Sequence, residues 1–187
     1  MPDHRLIARP ALGRAAPKTE TLGPVRLAEV TDTALASLAS RRGREGAVAA
    51  IAGQIGLPLP PPGCAASGPI WSAFWLGPDQ WMLEAPAATH EDIAVPLRAA
   101  FGQAASITEQ SGAWVRIDVF APDLPALFER LSAQDTRAMQ PGSATRTVIE
   151  HLGTYLIRRP DRMTLLGPRS SADALWHALA TAAGSVF

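Results

Sequence analysis

GPDQWMLEAP at residues 77–86 and RPDRMTLLGP at residues 159–168 carry one pattern, with every matching position offset by 82. In each copy a Pro-Asp pair is followed, at fixed distances, by a leucine and a proline. Each copy also follows an apolar strand-like run and precedes a helix-like run. A repeat of this length exceeds the period of solenoid proteins. The pattern therefore predicts an internally duplicated α+β fold, with two halves of antiparallel sheet and packed helices sharing one core.

A second pair of segments supports the duplication. PVRLAEV at residues 24–30 and WVRIDVF at residues 114–120 share a V-R-[LI] core, and each leads into a short helical pattern. We therefore expect a single domain at 23–187, made of halves at about 23–103 and 104–187. Residues 1–22 are rich in Pro, Ala and Arg without periodicity, which predicts an extended or disordered N-terminal arm.

The first half should contain two helices, a hairpin and a third helix. The strand at 24–30 leads to Thr31, a candidate N-cap for a short helix carrying Leu35 and Leu38. The hairpin pairs the runs on either side of the GPDQ turn, and Thr89 then caps a helix that ends near Phe101. The second helix has four apolar side chains on one face, at Val48, Ile51, Ala52 and Ile55.

The second half repeats this plan with a clear strand at its start. Apolar and polar side chains alternate along 114–120, as a half-buried strand requires. Pro122 suits the first turn of a following helix, and three strand-like runs come after it, the last two joined by Pro160-Asp161. The final helix should be capped by Ser170 or Ser171.

Composition excludes several classes of protein. The 187 residues are 47% apolar, enough for a core, and the 17 basic residues cancel the 17 acidic ones. No segment forms a basic face, so nucleic acid is not an expected partner. The single cysteine, Cys64, excludes an internal disulfide, and the sequence shows neither a signal-peptide core nor 18 consecutive apolar residues. We expect a cytoplasmic protein that does not contact a membrane.

The search for chemistry assigns no catalytic, cofactor-binding or metal-binding residue. The four histidines lack ligand spacing, and nucleophile-elbow, P-loop and dinucleotide motifs are absent from the sequence. Glu109 and Asp118 could form a carboxylate pair on neighbouring strands, but the polar face of a solvated strand explains them better.

Two groups of residues are candidates for a partner surface. Arg158 and Arg159, near Arg146 and Arg162, could clamp a carboxylate, although a solvated or subunit-facing strand edge is the better explanation. Among the five tryptophans, Trp75 and Trp81 are expected in the core. For three others, core packing and partner contact are equally good interpretations. The predicted interface residues are Trp71, Trp114, Arg158, Arg159 and Trp176.

Three segments, LGPDQWMLEAP, PGSATRTVIEH and TYLIRRPDRMTLLGPRSSADALWHAL, together resemble the gamma subunit family of heterotetrameric sarcosine oxidase. That family has a Gly-Pro-Asp-Glu/Gln-Trp hairpin in its first half, which matches Gly77 to Trp81. It has an Arg-Ser-x-Ala-x-x-Leu-Trp helix start near its end, which matches Arg169 to Trp176. The resemblance covers about residues 24 to 183, and the C-terminal motif is its more specific marker.

The resemblance implies a fold related to the folate-binding aminomethyltransferase domain and a noncatalytic subunit that packs against the alpha subunit. The complex of alpha, beta, gamma and delta subunits demethylates sarcosine to glycine, giving hydrogen peroxide and methylenetetrahydrofolate. FAD, FMN, NAD, tetrahydrofolate and zinc are expected in the other subunits.

The sequence departs from the family pattern at two places. SAQD stands at 132–135 where the family has a Cys-Pro pair, and ITEQS stands at 107–111 where it has Asp-Val-Ser. These departures leave the amine substrate and membership of this complex open, and the same fold would also serve proteins of other classes, so three alternatives stay open. They are a subunit of a related dimethylglycine or N-methyl amino acid oxidase, a free-standing folate-binding protein of one-carbon metabolism, and a scaffold for an unrelated enzyme.

Overall fold

The computed structural model describes residues 8–187, which form two antiparallel sheets and four α-helices. In sheet order, the six-stranded sheet contains β1(Thr19–Leu22), β2(Val25–Val30), β8(Trp114–Phe120), β11(Met163–Pro168), β10(Leu152–Arg158) and β9(Ala144–Ile149). The five-stranded sheet contains β4(Ala65–Ser67), β5(Ser72–Gly77), β6(Gln80–Pro86), β3(Thr33–Ser40) and β7(Ala105–Glu109). The helices are α1(Glu45–Gln54), α2(Ala94–Phe101), α3(Leu124–Phe128) and α4(Ala172–Val186).

The element order confirms the predicted duplication. The sequence β2-β3-α1-β4-β5-β6-α2 is repeated as β7-β8-α3-β9-β10-β11-α4, and corresponding strands occupy corresponding places in the two sheets. The first strand of each unit is exchanged, because β2 pairs with β8 of the second half and β7 pairs with β3 of the first. Both halves therefore contribute strands to both sheets.

The two Pro-Asp segments form equivalent hairpins, as predicted. The first joins β5 to β6, and Asp79 adopts a φ of 55°, a conformation that Asp tolerates in tight turns. The second joins β10 to β11, where the Arg159 N–H donates to the Arg162 carbonyl over 2.9 Å. The two segments that share the V-R-[LI] motif do not occupy equivalent places in the two halves, contrary to the prediction. β2 and β8 are antiparallel neighbours rather than equivalent strands, because the strand equivalent to β8 is β3.

The elements stack as helix, sheet, sheet, helix. One apolar cluster joins the six-stranded sheet to α3 and α4, and a second joins the five-stranded sheet to α1 and α2. A third lies between the sheets and includes Leu35, Phe74, Ile157 and Leu166. This inner layer is where the two sheets face each other.

The predicted helix after Thr31 is wrong, because residues 33–40 form strand β3. Leu35 and Leu38 are three residues apart, a spacing typical of a helix, yet they point to opposite faces of a central strand. Leu38 packs toward the helices and Leu35 toward the other sheet. A strand that is buried on both faces lacks the polar alternation that marks a half-buried strand.

Two predicted caps also differ from the structure. Helix α2 begins at Ala94, and the Thr89 hydroxyl instead contacts the Pro86 carbonyl over 3.3 Å in the preceding turn. Ser171 occupies the N-cap position of α4, but its side chain makes no capping hydrogen bond. Of the predicted arm, residues 1–7 lie outside the described residues, and Thr19–Leu22 forms β1.

Candidate functional site

Five charged side chains meet between the two sheets, where the halves contact each other. β8 supplies Arg116 and Asp118, β6 supplies Glu84, and the β10–β11 hairpin supplies Arg159 and Arg162. Alternation along β8 explains the placement, because Val115, Ile117 and Val119 pack toward the helices and their neighbours point inward. We call this set of five residues the charge cluster.

Asp118 is bound from three sides. Arg116 donates to both of its carboxylate oxygens at 3.2 Å, and the Thr164 hydroxyl donates to Oδ1 at 2.7 Å. The Nε of Arg162 lies 2.8 Å from Oδ2. Asp118 is buried, so these contacts replace the water that a carboxylate would otherwise bind.

Glu84 connects the charge cluster to the five-stranded sheet. Its Oε2 accepts from Arg159 at 2.7 Å, and its Oε1 lies 4.0 Å from Nη1 of Arg116. Arg116 also donates to the Thr33 hydroxyl at 3.0 Å, a second link between the sheets. The charge cluster therefore joins the two sheets by ion pairs beside the apolar residues of the inner layer.

The surroundings of Asp118 and Arg116 favour the charged form of both side chains. Burial acts to raise the pKa of Asp118, but Arg116, Thr164 and Arg162 outweigh it, and the pKa lies below its ordinary value. Burial likewise acts to lower the pKa of Arg116, whereas Glu84 and Asp118 raise it further, so the net shift is upward. An acid or base catalyst needs a pKa near the working pH, and both shifts move away from neutrality.

The structure corrects the sequence interpretation of these charges. Asp118 was expected on a solvated strand face, but it is buried because that face is covered by the second sheet. Glu109 lies elsewhere, at the end of β7, where its Oε1 accepts from the Ser111 N–H at 3.0 Å. The two carboxylates do not form a pair.

Arg158 and Arg159 point to different surroundings, as expected for adjacent strand positions. Arg158 donates to the carbonyls of Arg159 and Arg162 and so stabilises the turn of its own hairpin. Arg159 is half-buried and belongs to the charge cluster through Glu84. Glu84 was not identified from the sequence, and its position among apolar residues in β6 was the available signal.

The three tryptophans assigned to an interface contact residues of this chain. Trp71 is 8% exposed and its ring meets His90 edge-on at 4.8 Å. Trp176 is 4% exposed, donates from Nε1 to Glu20 at 2.9 Å and lies beneath Lys18 at 4.5 Å. Little of either ring is left for a partner to touch.

Trp114 is partly buried between the sheets and keeps some exposed surface. Its ring lies 5.6 Å from Tyr155, and its Nε1 donates to Gln110 at 3.2 Å. The same ring lines a cavity of about 430 Å³ that is bounded on one side by residues 8–17. This cavity could not be predicted from the sequence, because residues 8–17 carry no periodic pattern.

Within residues 8–187, no group of three or more His, Cys, Asp or Glu side chains is arranged to hold a metal ion. The carboxylates of the charge cluster are already engaged by arginines. Among the described helices, none has the length and apolar character needed to cross a membrane.

Comparison with known proteins gives a match of fold rather than of sequence. No family model and no curated protein sequence matches the chain. The chain is similar to a chain of heterotetrameric sarcosine oxidase from Corynebacterium sp. U-96, with a TM-score of 0.75 and 23% identity. That match covers 89% of this chain and 88% of the other.

A second solved structure has the same fold within a larger protein. It is the glycine cleavage system aminomethyltransferase T from Bartonella henselae, with a TM-score of 0.60 and 13% identity. The match covers 81% of this chain but 44% of that one. The predicted aminomethyltransferase-like α+β fold is confirmed, and the predicted resemblance to sarcosine oxidase is confirmed at the level of the fold.

Proposed function

We propose that this chain is the noncatalytic gamma subunit of a heterotetrameric complex of the sarcosine oxidase kind, in which it packs against the alpha subunit. The observation that carries the proposal is the length of the structural match. The chain and a chain of heterotetrameric sarcosine oxidase cover nearly all of each other, whereas the aminomethyltransferase is more than twice as long as the part that matches. A match that covers nearly all of both chains favours a counterpart of that sarcosine oxidase chain over a counterpart of the longer aminomethyltransferase.

The chemistry of the inner layer supports a noncatalytic role. Arg116 and Asp118 bind each other through two hydrogen bonds, and their pKa values are shifted away from neutrality. Such a pair stabilises a structure and is poorly suited to proton transfer. In the proposed complex, FAD, FMN, NAD, tetrahydrofolate and zinc are held by the other subunits, and the reaction is the oxidative demethylation of sarcosine in the cytoplasm.

Direct contact with the larger subunit is proposed through the predicted interface residues that keep exposed surface. Three of them are partly exposed, namely Trp114, Arg158 and Arg159. Because Arg159 is already paired with Glu84, we assign the contact to Trp114 and Arg158. A planar guanidinium and a large aromatic ring are the side chains most often found at the energetic centre of an interface. A related N-methyl amino acid oxidase could use the same contact between its subunits. Sarcosine as the substrate is therefore a separate part of the proposal, which the activity of the purified complex tests.

The aminomethyltransferase fold favours one other function, a free-standing folate-binding protein. A pterin ring needs a carboxylate that is free to pair with its amino edge. Between the sheets, both oxygens of Asp118 and the Oε2 of Glu84 are engaged by arginines, and within residues 8–187 only the Oε1 of Glu84 is without a hydrogen-bond partner there. Neither carboxylate offers both oxygens to a pterin, which counts against that role. We therefore place it second.

The proposal is tested by purifying the tagged full-length chain from its native host at its native level of expression. We expect a yellow preparation in which flavin absorbance and larger subunits follow the tagged chain, and which oxidises sarcosine. A purification with the tag alone is the control. A colourless chain that binds tetrahydrofolate by itself would instead support the second function.

A further inference from the structure

The cavity beside Trp114 lies between the sandwich and the segment formed by residues 8–17. Its floor is formed where β2 ends and β8 begins, and Leu35 and Trp114 contribute apolar surface there. The other wall is formed by Pro10, Pro17 and short apolar side chains. A volume of about 430 Å³ lies within the range of small-molecule sites.

The segment that closes the cavity is held by specific bonds. Glu29, which is buried, accepts the main-chain N–H groups of Leu12 and Lys18, each at 3.0 Å. Its own N–H donates to the Lys18 carbonyl at 2.7 Å. Arg169 reaches across and donates to the Arg9 carbonyl. The wall is therefore a defined part of the fold, and it borders the cavity on one side.

The charged groups lining the cavity differ in how fully they are paired. Arg116 is neutralised by Asp118, and both oxygens of Glu29 already accept hydrogen bonds. Arg9 and Arg169 also line the cavity, and their hydrogen bonds go to main-chain carbonyls. Within residues 8–187, no carboxylate lies within 4.0 Å of either guanidinium. Both keep N–H donors for an anion.

The position of Arg169 relative to the apolar floor follows from the sheet. Pro168 pairs with Trp114, and the Arg169 N–H donates to the Ala113 carbonyl at 2.9 Å. The base of the Arg169 side chain is therefore beside the strand that carries the Trp114 ring. A ligand with an anionic group close to an aromatic ring would match this arrangement of a guanidinium beside an apolar floor.

We propose that the cavity is a binding site for a small aromatic carboxylate. The carboxylate pairs with Arg169 and Arg9, because a guanidinium binds a carboxylate through two parallel hydrogen bonds. The ring lies against Trp114, Leu35 and Pro10 and removes apolar surface from water. The remaining carboxylate in the lining, Glu91, is exposed and sets a limit on how much negative charge the site accepts.

Sodium phenylacetate is a suitable probe, and ¹H–¹⁵N correlation spectra of the full-length chain are the measurement. We expect saturable shifts at the Trp114 indole N–H and at the main-chain N–H groups of Val30 and Ser111. Phenylacetamide has the same shape without the charge, and acetate has the charge without the ring. At constant ionic strength we expect each to bind about tenfold more weakly than phenylacetate, because each lacks one of the two interactions.

Three single variants and a matched control assign the binding energy. Arg169→Gln should weaken phenylacetate binding about tenfold, and Arg9→Gln should weaken it in the same direction, because each removes a charged donor. Glu91→Gln should strengthen it by removing a repulsive charge. Arg42→Gln removes an exposed arginine that does not line the cavity and should leave affinity within about twofold.

Several results would overturn the proposal. One is equal affinity for phenylacetate and phenylacetamide, which would mean that only apolar surface is recognised. A second is a loss of phenylacetate affinity in the control Arg42→Gln that equals the loss in folded Arg169→Gln or Arg9→Gln. A third is the absence of saturable shifts at the cavity residues. None of these results bears on the proposed subunit role, since the titration uses the free chain.

Discussion

Asp118 shows what a single residue contributes to joining the two sheets. Asp118→Asn keeps the size of the side chain but removes the charge that neutralises Arg116 and Arg162. Breaking a buried ion pair on one side leaves a charge without compensation, so we expect a loss of about 3 kcal/mol in the free energy of unfolding, measured by urea denaturation. The matched control is Asp161→Asn, an exposed partner of Arg162 that should cost less than about 0.5 kcal/mol.

Asp118→Asn also tests how the stability of the chain depends on pH. The pKa of Asp118 in the folded chain lies below its ordinary value. Its contribution to stability is therefore complete above the ordinary pKa and is lost as pH falls through the lower, folded value. Between about pH 5 and pH 2 we expect the wild-type chain to lose more stability than Asp118→Asn does. Parallel slopes for the two proteins would contradict this assignment.

Trp176 is a residue for which the structure favours stability over docking. Its ring is buried against the six-stranded sheet, and its indole N–H binds Glu20. Trp176→Ala should lower the free energy of unfolding by about 3 to 5 kcal/mol, as other large aromatic deletions do. Trp176→Phe keeps most of the apolar contact and should cost about 1 kcal/mol for the lost hydrogen bond. An unchanged melting temperature in the alanine variant would show that the Trp176 ring does not stabilise the fold.

At the scale of elements, the contact between β11 and α4 depends on a glycine. A Cβ atom at Gly167 would lie well inside van der Waals contact with Leu175, which is fully buried in α4. Gly167→Ala should therefore destabilise the chain by about 1 to 3 kcal/mol through overpacking.

The control for this prediction is a glycine with free space around it. Gly53 is exposed within α1, and a Cβ atom there would meet nothing within 4 Å. Gly53→Ala should raise the free energy of unfolding by about 0.5 to 1 kcal/mol, because alanine is the better helix former. Equal melting temperatures for the two alanine variants would contradict the packing proposed for α4.

Elements differ in how far the sequence predicts them, for physical reasons. Helix α4 and the two Pro-Asp hairpins carry strong local signals, namely an apolar stripe and turn residues, and they form as predicted. The sequence of strand β3 wrongly predicts a helix, because both faces of the strand are buried and the alternation that identifies strands is missing. The exchange of β2 and β7 is set by long-range pairing, which no local pattern encodes.

The candidate site was harder to predict than the fold. The local sequence around each member of the charge cluster indicates only a polar residue on a strand or turn. These residues become buried because the two sheets face each other. The cavity beside Trp114 likewise depends on residues 8–17 folding back over β2. Sequence patterns report the period of one element, whereas these features depend on contacts between distant ones.

For the whole molecule, strand exchange predicts that the halves depend on each other. Val25 and Leu27 of β2 are fully buried against elements of the second half. A fragment of residues 1–103 would expose them and would leave β3 without its partner β7. We expect fragments 1–103 and 104–187 to show no cooperative thermal transition alone and to recover one when mixed, followed by circular dichroism. A cooperative transition in either isolated fragment would contradict the shared core.

We propose above that this molecule acts as one subunit of a flavin-containing complex. Sedimentation velocity of a lysate from the native host, with the chain carrying a fluorescent tag, tests it most directly. We expect the tagged chain to sediment with a much larger particle that also absorbs at visible flavin wavelengths. Sedimentation as a free particle of about 20 kDa plus the tag, with no flavin absorbance in that boundary, would contradict it.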